Sequence, residues 1–423
     1  MATKGQIEAG MLHGVYPSLY GSNVDVSQAD KRFLALLEAH ENRFGAKEAV
    51  LFSTSGRTEL GGNHTDHNLG LVLAASINLD TIATVSKRDD RHIVLDSVGF
   101  PLVEINLDEL AKKQEEEGTT ASLVRGIASR FQELGYGLTG WQASVTSNVL
   151  QGSGLSSSAA IEVLIATIIN HLDAGDALDP VSLAQISQYA ENSYFGKPSG
   201  LLDQASCAHG GVVAIDFENP ESPAVEPVLV DFKEHGYDLV VTDTRADHSG
   251  LTDCYASIPE EMRRVAACFG KPVLREVDPG LFMESLPQIR SKVDNDRALL
   301  RAIHFFQENG RVLQMVHALK EKDIETYLSL VNQSGESSFC FLQNAYPPSD
   351  TTHQAIPLAL ALSKEFLGGQ GAVRLHGGGF AGTIQAYVPQ QMTEAYIDTM
   401  ERVFGKGCST LIAIRSLKTS AIG

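Results

Sequence analysis

A glycine- and serine-rich passage near the middle of the sequence has the residue types needed to bind phosphate. Glycine lets the backbone approach an anion closely, and the free N–H groups at the start of a following helix carry partial positive charge. Serine hydroxyls can add hydrogen bonds, and one of them can bind magnesium. A plain capped helix start is the alternative, but it needs neither two glycines nor three serines in a row. The residues predicted to contact phosphate are Gly152, Ser153, Gly154, Leu155, Ser156, Ser157 and Ser158.

A second polar passage, residues 55–68, has a high density of short polar side chains. His64, Asp66 and His67 could form a metal site, but three ligands within four residues and the lack of a helical pattern disfavour a transition metal. A hydroxyl-rich ligand suits the passage better, because a carboxylate accepts hydrogen bonds from neighbouring hydroxyls while Asn and His side chains can also donate them. A polar surface loop is the alternative.

A third passage, residues 377–382, reads GGGFAG and matches the pattern GxGxxG. It precedes an alternating strand rather than a helix, so a dinucleotide-binding Rossmann loop is not predicted. A tight hairpin with glycines at positive φ and a loop packed beside a ligand are equal alternatives. The sequence also lacks the GxxxxGK[ST] pattern of a Walker-type phosphate loop.

Hydrophobic periodicity places these passages among strands and helices. An amphipathic helix is predicted from Ser156 to about Leu172, and its opening serines suit N-capping. The first 50 residues and the region from about residue 243 to Lys364 are predicted to be mostly helical. Further helices are predicted at residues 123–134 and 390–404, and strands at residues 70–85, 141–149, 211–217, 237–242, near 372, 383–388 and 411–415. This mixture predicts a two-domain α+β protein with a boundary near residues 217–225.

The composition narrows the possible partners. The chain has 33 Lys and Arg residues against 52 Asp and Glu residues, a formal net charge of −19. A surface this negative repels phosphate backbones and anionic lipid, which argues against nucleic-acid and membrane-surface binding. The five cysteines are widely spaced without a CxxC pair, so neither a disulfide framework nor a zinc site is expected. No apolar run approaches the ~18 residues of a membrane span, which predicts a soluble, cytoplasmic protein.

In this order, the three passages resemble motifs of the GHMP kinases, and within them the galactokinases. Residues 56–77 are similar to the galactokinase signature GRxNxIGEHTDYNxGxVLPxAI, and residues 152–160 resemble the ATP loop PxGxGLSSSAA. Residues 191–204 are similar to ENxYxGxxCGxMDQ, and residues 374–382 resemble the third GHMP motif, with Ala381 where glycine is usual. The resemblance covers most of the chain.

The resemblance implies the two-domain GHMP kinase fold, which is α+β in class. Residues 1–217 would form an N-terminal domain of the ribosomal-S5-domain-2-like type that holds the sugar motif and the ATP loop. Residues 218–423 would form a ferredoxin-like C-terminal GHMP kinase domain. ATP and a small-molecule sugar would lie in the cleft between the domains, with Mg²⁺ as the metal cofactor. The implied enzyme is a cytoplasmic monomer with no nucleic-acid or membrane partner.

The resemblance also implies roles for individual residues. Asp203 would accept the proton of the anomeric hydroxyl, and Arg57 beside it would keep that carboxylate ionised and neutralise charge on the transferred phosphoryl group. Ser158 and Glu191 would bind Mg²⁺, which suits two hard oxygen ligands. Gly378 and Gly379 would join residues 152–158 in binding ATP. The residues that would contact the sugar are Asn63, His64, Asp66, Gly200 and Tyr255.

The implied activity is ATP-dependent phosphorylation of the anomeric hydroxyl of a hexose, in the first place galactose, which gives α-galactose 1-phosphate and ADP. Four residues depart from the galactokinase sugar motif: Glu59 stands for Asn, Gly61 for Ile, Asn63 for the sugar-binding Glu, and His67 for Tyr. An amide in place of a carboxylate loses an acceptor and gains a donor, which can change the favoured sugar. A kinase of N-acetylgalactosamine, arabinose or galacturonate is therefore one alternative. A galactose- and ATP-binding sensor without turnover is another.

Overall fold

The computed structural model describes residues 2–150, 154–246 and 250–422, and within them the strands form two separate sheets. In chain order the strands are β1 (Val50–Gly61), β2 (Leu71–Lys87), β3 (His92–Ser97), β4 (Val103–Asn106), β5 (Trp141–Ser147), β6 (Val212–Asp216), β7 (Ala224–Val228), β8 (Tyr237–Asp243), β9 (Ala372–His376), β10 (Thr383–Pro389), β11 (Ser409–Ile412) and β12 (Ser420–Ile422). The helices are α1 (Lys4–Glu8), α2 (Tyr16–Tyr20), α3 (Val26–Phe44), α4 (Thr120–Glu133), α5 (Ser157–Asp173), α6 (Pro180–Ala190), α7 (Leu202–His209), α8 (Thr252–Ala267), α9 (Pro279–Val293), α10 (Asp296–Lys320), α11 (Ile324–Ser337), α12 (Ala355–Leu367) and α13 (Thr393–Phe404).

The larger sheet is built on the long strands β1 and β2, which pair antiparallel along most of their length. Its order is β12-β1-β2-β5-β3-β4, and these neighbours are antiparallel except for the parallel pair β3 and β5. Because β2 has 17 residues, its first part pairs with β6 and its last part with β5, and β7 extends the sheet beyond β6. Strand β1 therefore lies inside the sheet, between β12 and β2.

Helices cover both faces of the larger sheet. Leu51 and Phe52 are neighbours in β1, and their side chains point to opposite faces of the strand. Phe52 packs in one apolar core with Ile127 of α4 and Leu164 of α5, while Leu51 packs in another with Phe33 of α3. A strand buried on both faces has little apolar-polar alternation, and this determines how much of it can be recognised from sequence.

The smaller sheet has the antiparallel order β11-β8-β10-β9. On one side α12 and α13 cover it, with Met400 packed in the same core as Val240 and Ile384. On the other side α11 contacts the sheet, and the Tyr327 and Tyr387 hydroxyls are hydrogen-bonded at 2.7 Å. Strands β7 and β12 lie after residue 217 but join the larger sheet. The division into residues 1–217 and 218–423 stays a prediction.

Most predicted elements are confirmed in type, but β1 is not among them. Every residue from Leu51 to Gly61 is buried in this strand, so the interpretation of residues 55–68 as a polar surface loop is wrong for its first half. The polar side chains of β1 are satisfied by hydrogen bonds inside the protein rather than by water, as for Ser53 and Thr54. Because polar residues occupy buried positions in β1, hydrophobic periodicity does not identify it as a strand.

A buried charged cluster ties both ends of the chain to the larger sheet. Asp80 of β2 is fully buried, and it accepts hydrogen bonds from the Ser53 hydroxyl at 2.6 Å and the Tyr20 hydroxyl at 3.0 Å. Arg32 of α3 forms an ion pair with Asp80, and Arg415 Nη1 lies 3.7 Å from the same carboxylate and 2.6 Å from Ser53 Oγ. Two guanidinium groups thus share one buried carboxylate.

Replacing Asp80 by asparagine should lower the free energy of unfolding by about 3–5 kcal/mol, because the change leaves the buried guanidinium of Arg415 and the partly buried guanidinium of Arg32 without a counterion. Urea denaturation followed by circular dichroism measures this loss. The matched control is Asp90→Asn, which removes one exposed ion pair with Arg88 and should change stability little. Equal losses in the two variants would contradict the role given to the buried cluster.

Candidate active site

The centre of the site is an ion pair between Arg57 on β1 and Asp203 in the first turn of α7. Arg57 Nε and Nη2 both donate to Asp203 Oδ1, at 2.8 and 2.7 Å. The Ser156 hydroxyl donates to Asp203 Oδ2 at 2.6 Å. The side chain of Arg57 is 8% exposed, whereas that of Asp203 is 34% exposed. The arginine is therefore enclosed by protein while the carboxylate is open to a ligand.

The surroundings of Asp203 keep its carboxylate ionised. Burial raises the pKa of Asp203, but the charge of Arg57 and the hydrogen bonds from Ser156 and Arg57 outweigh burial, and the net pKa lies below its ordinary value. Burial also opposes the charge of Arg57, but Asp203 raises the pKa of the guanidinium above its ordinary value. The pair thus presents a proton acceptor next to a fixed cation.

The phosphate passage packs directly against this pair. The Gly154 carbonyl accepts a hydrogen bond from Arg57 Nη1, and the Leu155 carbonyl accepts one from the Arg57 backbone N–H at 3.1 Å. A Cβ atom on Gly56 would lie 2.8 Å from the Leu155 oxygen, so this close approach of β1 to the passage requires glycine. The predicted contacts of Gly152 and Ser153 lie outside the described residues.

Helix α5 begins at Ser157, as predicted to within one residue. Ser156 is the residue that precedes the helix, with φ of 59°, but its side chain makes no capping hydrogen bond. The prediction that a serine caps the helix here is wrong, because the Ser156 hydroxyl donates to Asp203 instead. The backbone N–H groups of the first helical turn are left for other acceptors.

Residues 377–382 form the hairpin loop between β9 and β10, and three of its glycines have φ between 71° and 98°. The loop also lies beside the predicted sugar-binding residues. His64 Nε2 donates to the Gly378 carbonyl at 2.9 Å, and the Tyr255 hydroxyl donates to the Gly379 carbonyl at 2.9 Å. The hairpin alternative is therefore confirmed, and the loop joins the smaller sheet to the polar passage on the larger one.

His64, Asp66 and Gly200 lie together at the end of β1. A Cβ atom on Gly200 would lie 2.0 Å from Asp66 Oδ2, so a larger residue here would displace this carboxylate. Burial, followed by the neighbouring His67, lowers the pKa of His64 to about 4, so its imidazole is neutral at pH 7. Because the Gly378 carbonyl can only accept, Nε2 carries the hydrogen and Nδ1 is left as an acceptor.

Asn63 was predicted to contact the sugar with these residues, but the structure places its side chain in the interior, where the residue is 1% exposed. Its Nδ2 donates to the Glu59 carboxylate at 3.0 and 3.2 Å and to the Gly377 carbonyl at 2.8 Å. Its Oδ1 accepts from Asn344 Nδ2 at 2.9 Å and from the Ser338 hydroxyl at 3.3 Å. The amide is thus occupied on both sides by protein groups.

Glu191, predicted to bind magnesium, belongs to a buried acidic group. Gln204 Nε2 donates to Glu191 at 2.7 Å and to Glu162 at 2.9 Å, and Lys197 Nζ lies 2.8 Å from Glu191. Glu162 Oε1 is buried with no hydrogen-bond partner among the described residues. Burial, and after it the charge of Glu191, raises the pKa of Glu162 well above its ordinary value.

Ser158, the other predicted magnesium ligand, is exposed in the first turn of α5, one helical turn before Glu162. A serine hydroxyl and a carboxylate are the hard oxygen donors that Mg²⁺ prefers alongside phosphate and water. The donor chemistry of Ser158 and Glu191 fits a divalent cation, because Glu191 and Glu162 form an acidic group whose charge Lys197 offsets in part. In the described part of the chain no cluster of three or more His, Cys, Asp or Glu side chains forms an all-protein cage.

A cavity of about 490 Å³ opens beside the start of α5. Sequence reasoning missed this cavity, because its walls come from separate strands, helices and the loop after β3. Two apolar residues that line the cavity, Val98 and Phe100, are unusually exposed, at 69% and 50%. The lining includes Leu95, Val98, Phe100, Val149, Ser157 and Ser158.

Known proteins carry the same combination of motifs. Residues 122–211 match the family model of the GHMP kinases N terminal domain, and residues 38–87 match that of the galactokinase galactose-binding signature. A galactokinase from Actinobacillus pleuropneumoniae serotype 3 (strain JL03) is 33% identical over 364 residues, which cover 83% of this chain and 88% of that protein. The chain belongs to the galactokinase family. A galactokinase from Glaesserella parasuis serovar 5 (strain SH0165) is 31% identical, with 84% of this chain and 89% of that protein covered.

Solved structures share the fold of this galactokinase-family chain. A crystal structure of Lactococcus lactis galactokinase complexed with galactose has a TM-score of 0.77 at 24% identity, with 92% of this chain and 99% of that chain covered. A mevalonate kinase structure has a TM-score of 0.61 at 14% identity, with 88% and 100% covered. The predicted α+β GHMP kinase fold is confirmed. Among the described residues, no helix combines the length and apolar character needed to cross a membrane.

Replacing Arg57 by methionine removes the positive charge beside Asp203. We expect kcat to fall by roughly 100-fold or more, as for the loss of one preorganised transition-state group. The acid limb of the pH profile of kcat/KM should also move to higher pH, because the pKa of Asp203 rises without the guanidinium and the predicted proton acceptor is its ionised form. Steady-state kinetics over the acid range measures both effects. An unmoved acid limb, as expected for the control Arg88→Met, which removes a half-buried arginine of another ion pair, would contradict this role.

Proposed function

We propose that this protein transfers the γ-phosphoryl group of ATP to the anomeric hydroxyl of galactose, which gives α-galactose 1-phosphate and ADP. The observation that carries the proposal is the meeting of three groups at one point: the Asp203 carboxylate, the Arg57 guanidinium and the Ser156 hydroxyl of the phosphate passage. Membership of the galactokinase family supports the same activity.

The proton and the phosphoryl group move in opposite directions in this reaction. Asp203 accepts the proton of the anomeric hydroxyl, and the hydroxyl oxygen forms a bond to the γ-phosphorus while the bond from that phosphorus to the β,γ-bridging oxygen breaks. Arg57 holds Asp203 in its ionised form and offsets negative charge on the transferred group. The protein supplies positioning and charge neutralisation, which are the main terms in phosphoryl transfer.

Sugar binding is assigned to the residues beside the ion pair. Asp66 is an acceptor for sugar hydroxyls, and neutral His64 offers Nδ1 as a second acceptor. Gly200 leaves room next to the Asp66 carboxylate, where a Cβ atom would collide. Tyr255 contacts the hairpin loop that closes this side of the cleft. The position of these groups around Asp203 supports a hexose with its anomeric hydroxyl toward the base.

ATP binding is assigned to the phosphate passage and to the neighbouring cavity. The backbone N–H groups of residues 154–158 and the N-terminal end of α5 favour the phosphates. In the hairpin loop Gly377 adjoins Gly154, with its Cβ position 3.6 Å from the Gly154 Cα atom, and Gly378 and Gly379, which follow it, are assigned to ATP from the family resemblance. The apolar cavity of about 490 Å³ at the start of α5 suits the flat, weakly polar base of the nucleotide. Ser158 and Glu191 would hold Mg²⁺, which when bound supplies positive charge against the phosphates. A cytoplasmic monomer without nucleic-acid or membrane partners completes the proposal and rests on the family resemblance.

Asp203→Ala should abolish phosphorylation of galactose, with a loss of roughly 100- to 10,000-fold in kcat, because it removes the proton acceptor. Binding of Mg-ATP, measured by calorimetry, should change little, since the phosphate passage and the cavity are untouched. Wild-type protein is assayed by ADP release with galactose, N-acetylgalactosamine, arabinose and galacturonate. Galactose giving no ADP above background while another sugar does would overturn the assigned substrate. Retained turnover in Asp203→Ala would overturn the assigned base.

A further inference from the structure

Two residues of the sugar motif have exchanged their chemistry relative to the galactokinase signature. The signature has Asn at the position of Glu59 and Glu at the position of Asn63, so one carboxylate and one amide are present in both patterns but in reverse order. The two side chains touch in the structure, with Asn63 Nδ2 at 3.0 Å from a Glu59 carboxylate oxygen. The two departures are therefore one coupled change at a single contact.

The environment of position 63 requires an amide. The two hydrogens of Asn63 Nδ2 go to the Glu59 carboxylate and the Gly377 carbonyl, and its Oδ1 accepts from Asn344 and Ser338. This uses the full set of two donors and two acceptors that an amide side chain has. A carboxylate at this position could not donate to Gly377, and it would lie against the negative charge of Glu59.

The environment of position 59 requires a carboxylate. Arg374 of β9 is fully buried, and its Nη2 donates to Glu59, whose side chain is 4% exposed. Arg374 Nε and Nη1 have no hydrogen-bond partner among the described residues, so Glu59 is the carboxylate that is hydrogen-bonded to this buried charge. An amide at position 59 would remove that ion pair and leave the guanidinium only the longer-range interaction with Glu308.

The pair also joins the two sheets next to the sugar residues. Glu59 and Asn63 lie at the end of β1 in the larger sheet, whereas Arg374 and Gly377 belong to β9 and the hairpin loop of the smaller sheet. The Asn63 carbonyl accepts in addition from His304 Nε2 of α10 at 2.8 Å. The following residue, His64, has a left-handed backbone conformation, with φ of 58°.

We propose that Glu59 and Asn63 form a matched positioning pair that anchors the segment after β1 to the hairpin formed by β9, which carries Arg374, and β10. As a consequence, this chain binds its sugar without a side-chain contact from position 63. The inference rests on the proposed sugar kinase activity for its second part only. The sugar is then recognised by His64, Asp66 and Asp203. The carboxylate of the reversed motif, Glu59, instead holds the two sheets together through Arg374.

A double-mutant cycle in the absence of sugar and ATP tests the pairing. Glu59→Asn and Asn63→Glu should each lower Tm. The first removes the carboxylate that pairs with the buried guanidinium of Arg374, and the second places two carboxylates in contact. The double variant restores one acid and one amide, so its loss of Tm should be smaller than the sum of the single losses by roughly 3 °C or more. Losses that add within error would overturn the pair. A single variant that does not fold beside a double variant that does would support it.

Kinetics separates positioning from sugar binding. Asn63→Ala, and Glu59→Gln as the variant that keeps the side-chain shape, should lower both Tm and kcat while KM for galactose stays within about threefold. The matched comparison is Asp66→Asn, which should raise KM roughly tenfold or more with little change in Tm. If Asn63→Ala raises KM as Asp66→Asn does and leaves Tm unchanged, position 63 binds the sugar and the inference fails. The double-mutant cycle uses ligand-free protein, so its Tm values still test the pairing if galactose proves not to be the substrate.

Discussion

The ion pair between Arg57 and Asp203 is the interaction on which the geometry of the site depends. A guanidinium enclosed at 8% exposure needs a carboxylate nearby, and that carboxylate comes from α7, far along the chain from β1. Residues 154–156 pack against this pair, and the absence of a side chain at Gly56 leaves room for the Leu155 carbonyl. The Asp203 carboxylate, the Arg57 guanidinium and the backbone before α5 are thus brought together by one requirement of charge balance.

The sequence predicts the parts of the molecule whose patterns are local. The helix after the phosphate passage and the hairpin at residues 377–382 follow from periodicity and glycine spacing, and the motifs around Arg57 and Asp203 indicate the catalytic pair. Strand β1 escapes prediction because its polar residues are buried and find their partners far away in sequence. The position of the Asn63 side chain is not predicted for the same reason, since its partners Asn344 and Gly377 lie 281 and 314 residues later in the chain. Residue type alone does not show whether an amide faces a ligand or another side chain.

The net charge of −19 also has a local meaning. Much of the surface is negative, but part of the acidic excess lies inside the site, where Glu162, Glu191 and Asp203 surround one amide and one lysine. Phosphate can still be held there, because backbone N–H groups and a helix end carry no formal charge and do not enter a count of Lys and Arg. The acidity that argues against nucleic acid is compatible with a small phosphorylated ligand bound beside a cation.

The cluster around Asp80 has a consequence for the order of folding. Arg415 bonds Ser53 across 362 residues of sequence, and β12 supplies the outer neighbour of the strand that carries Arg57. Contacts of such long range are the slow ones to form, since the loop entropy is lost before the contact gives anything in return. On a ribosome, β1 emerges long before these partners exist and has to remain incompletely paired until they arrive. The surroundings of the strand that carries Arg57 are therefore completed only after the last residues of the chain have been synthesised.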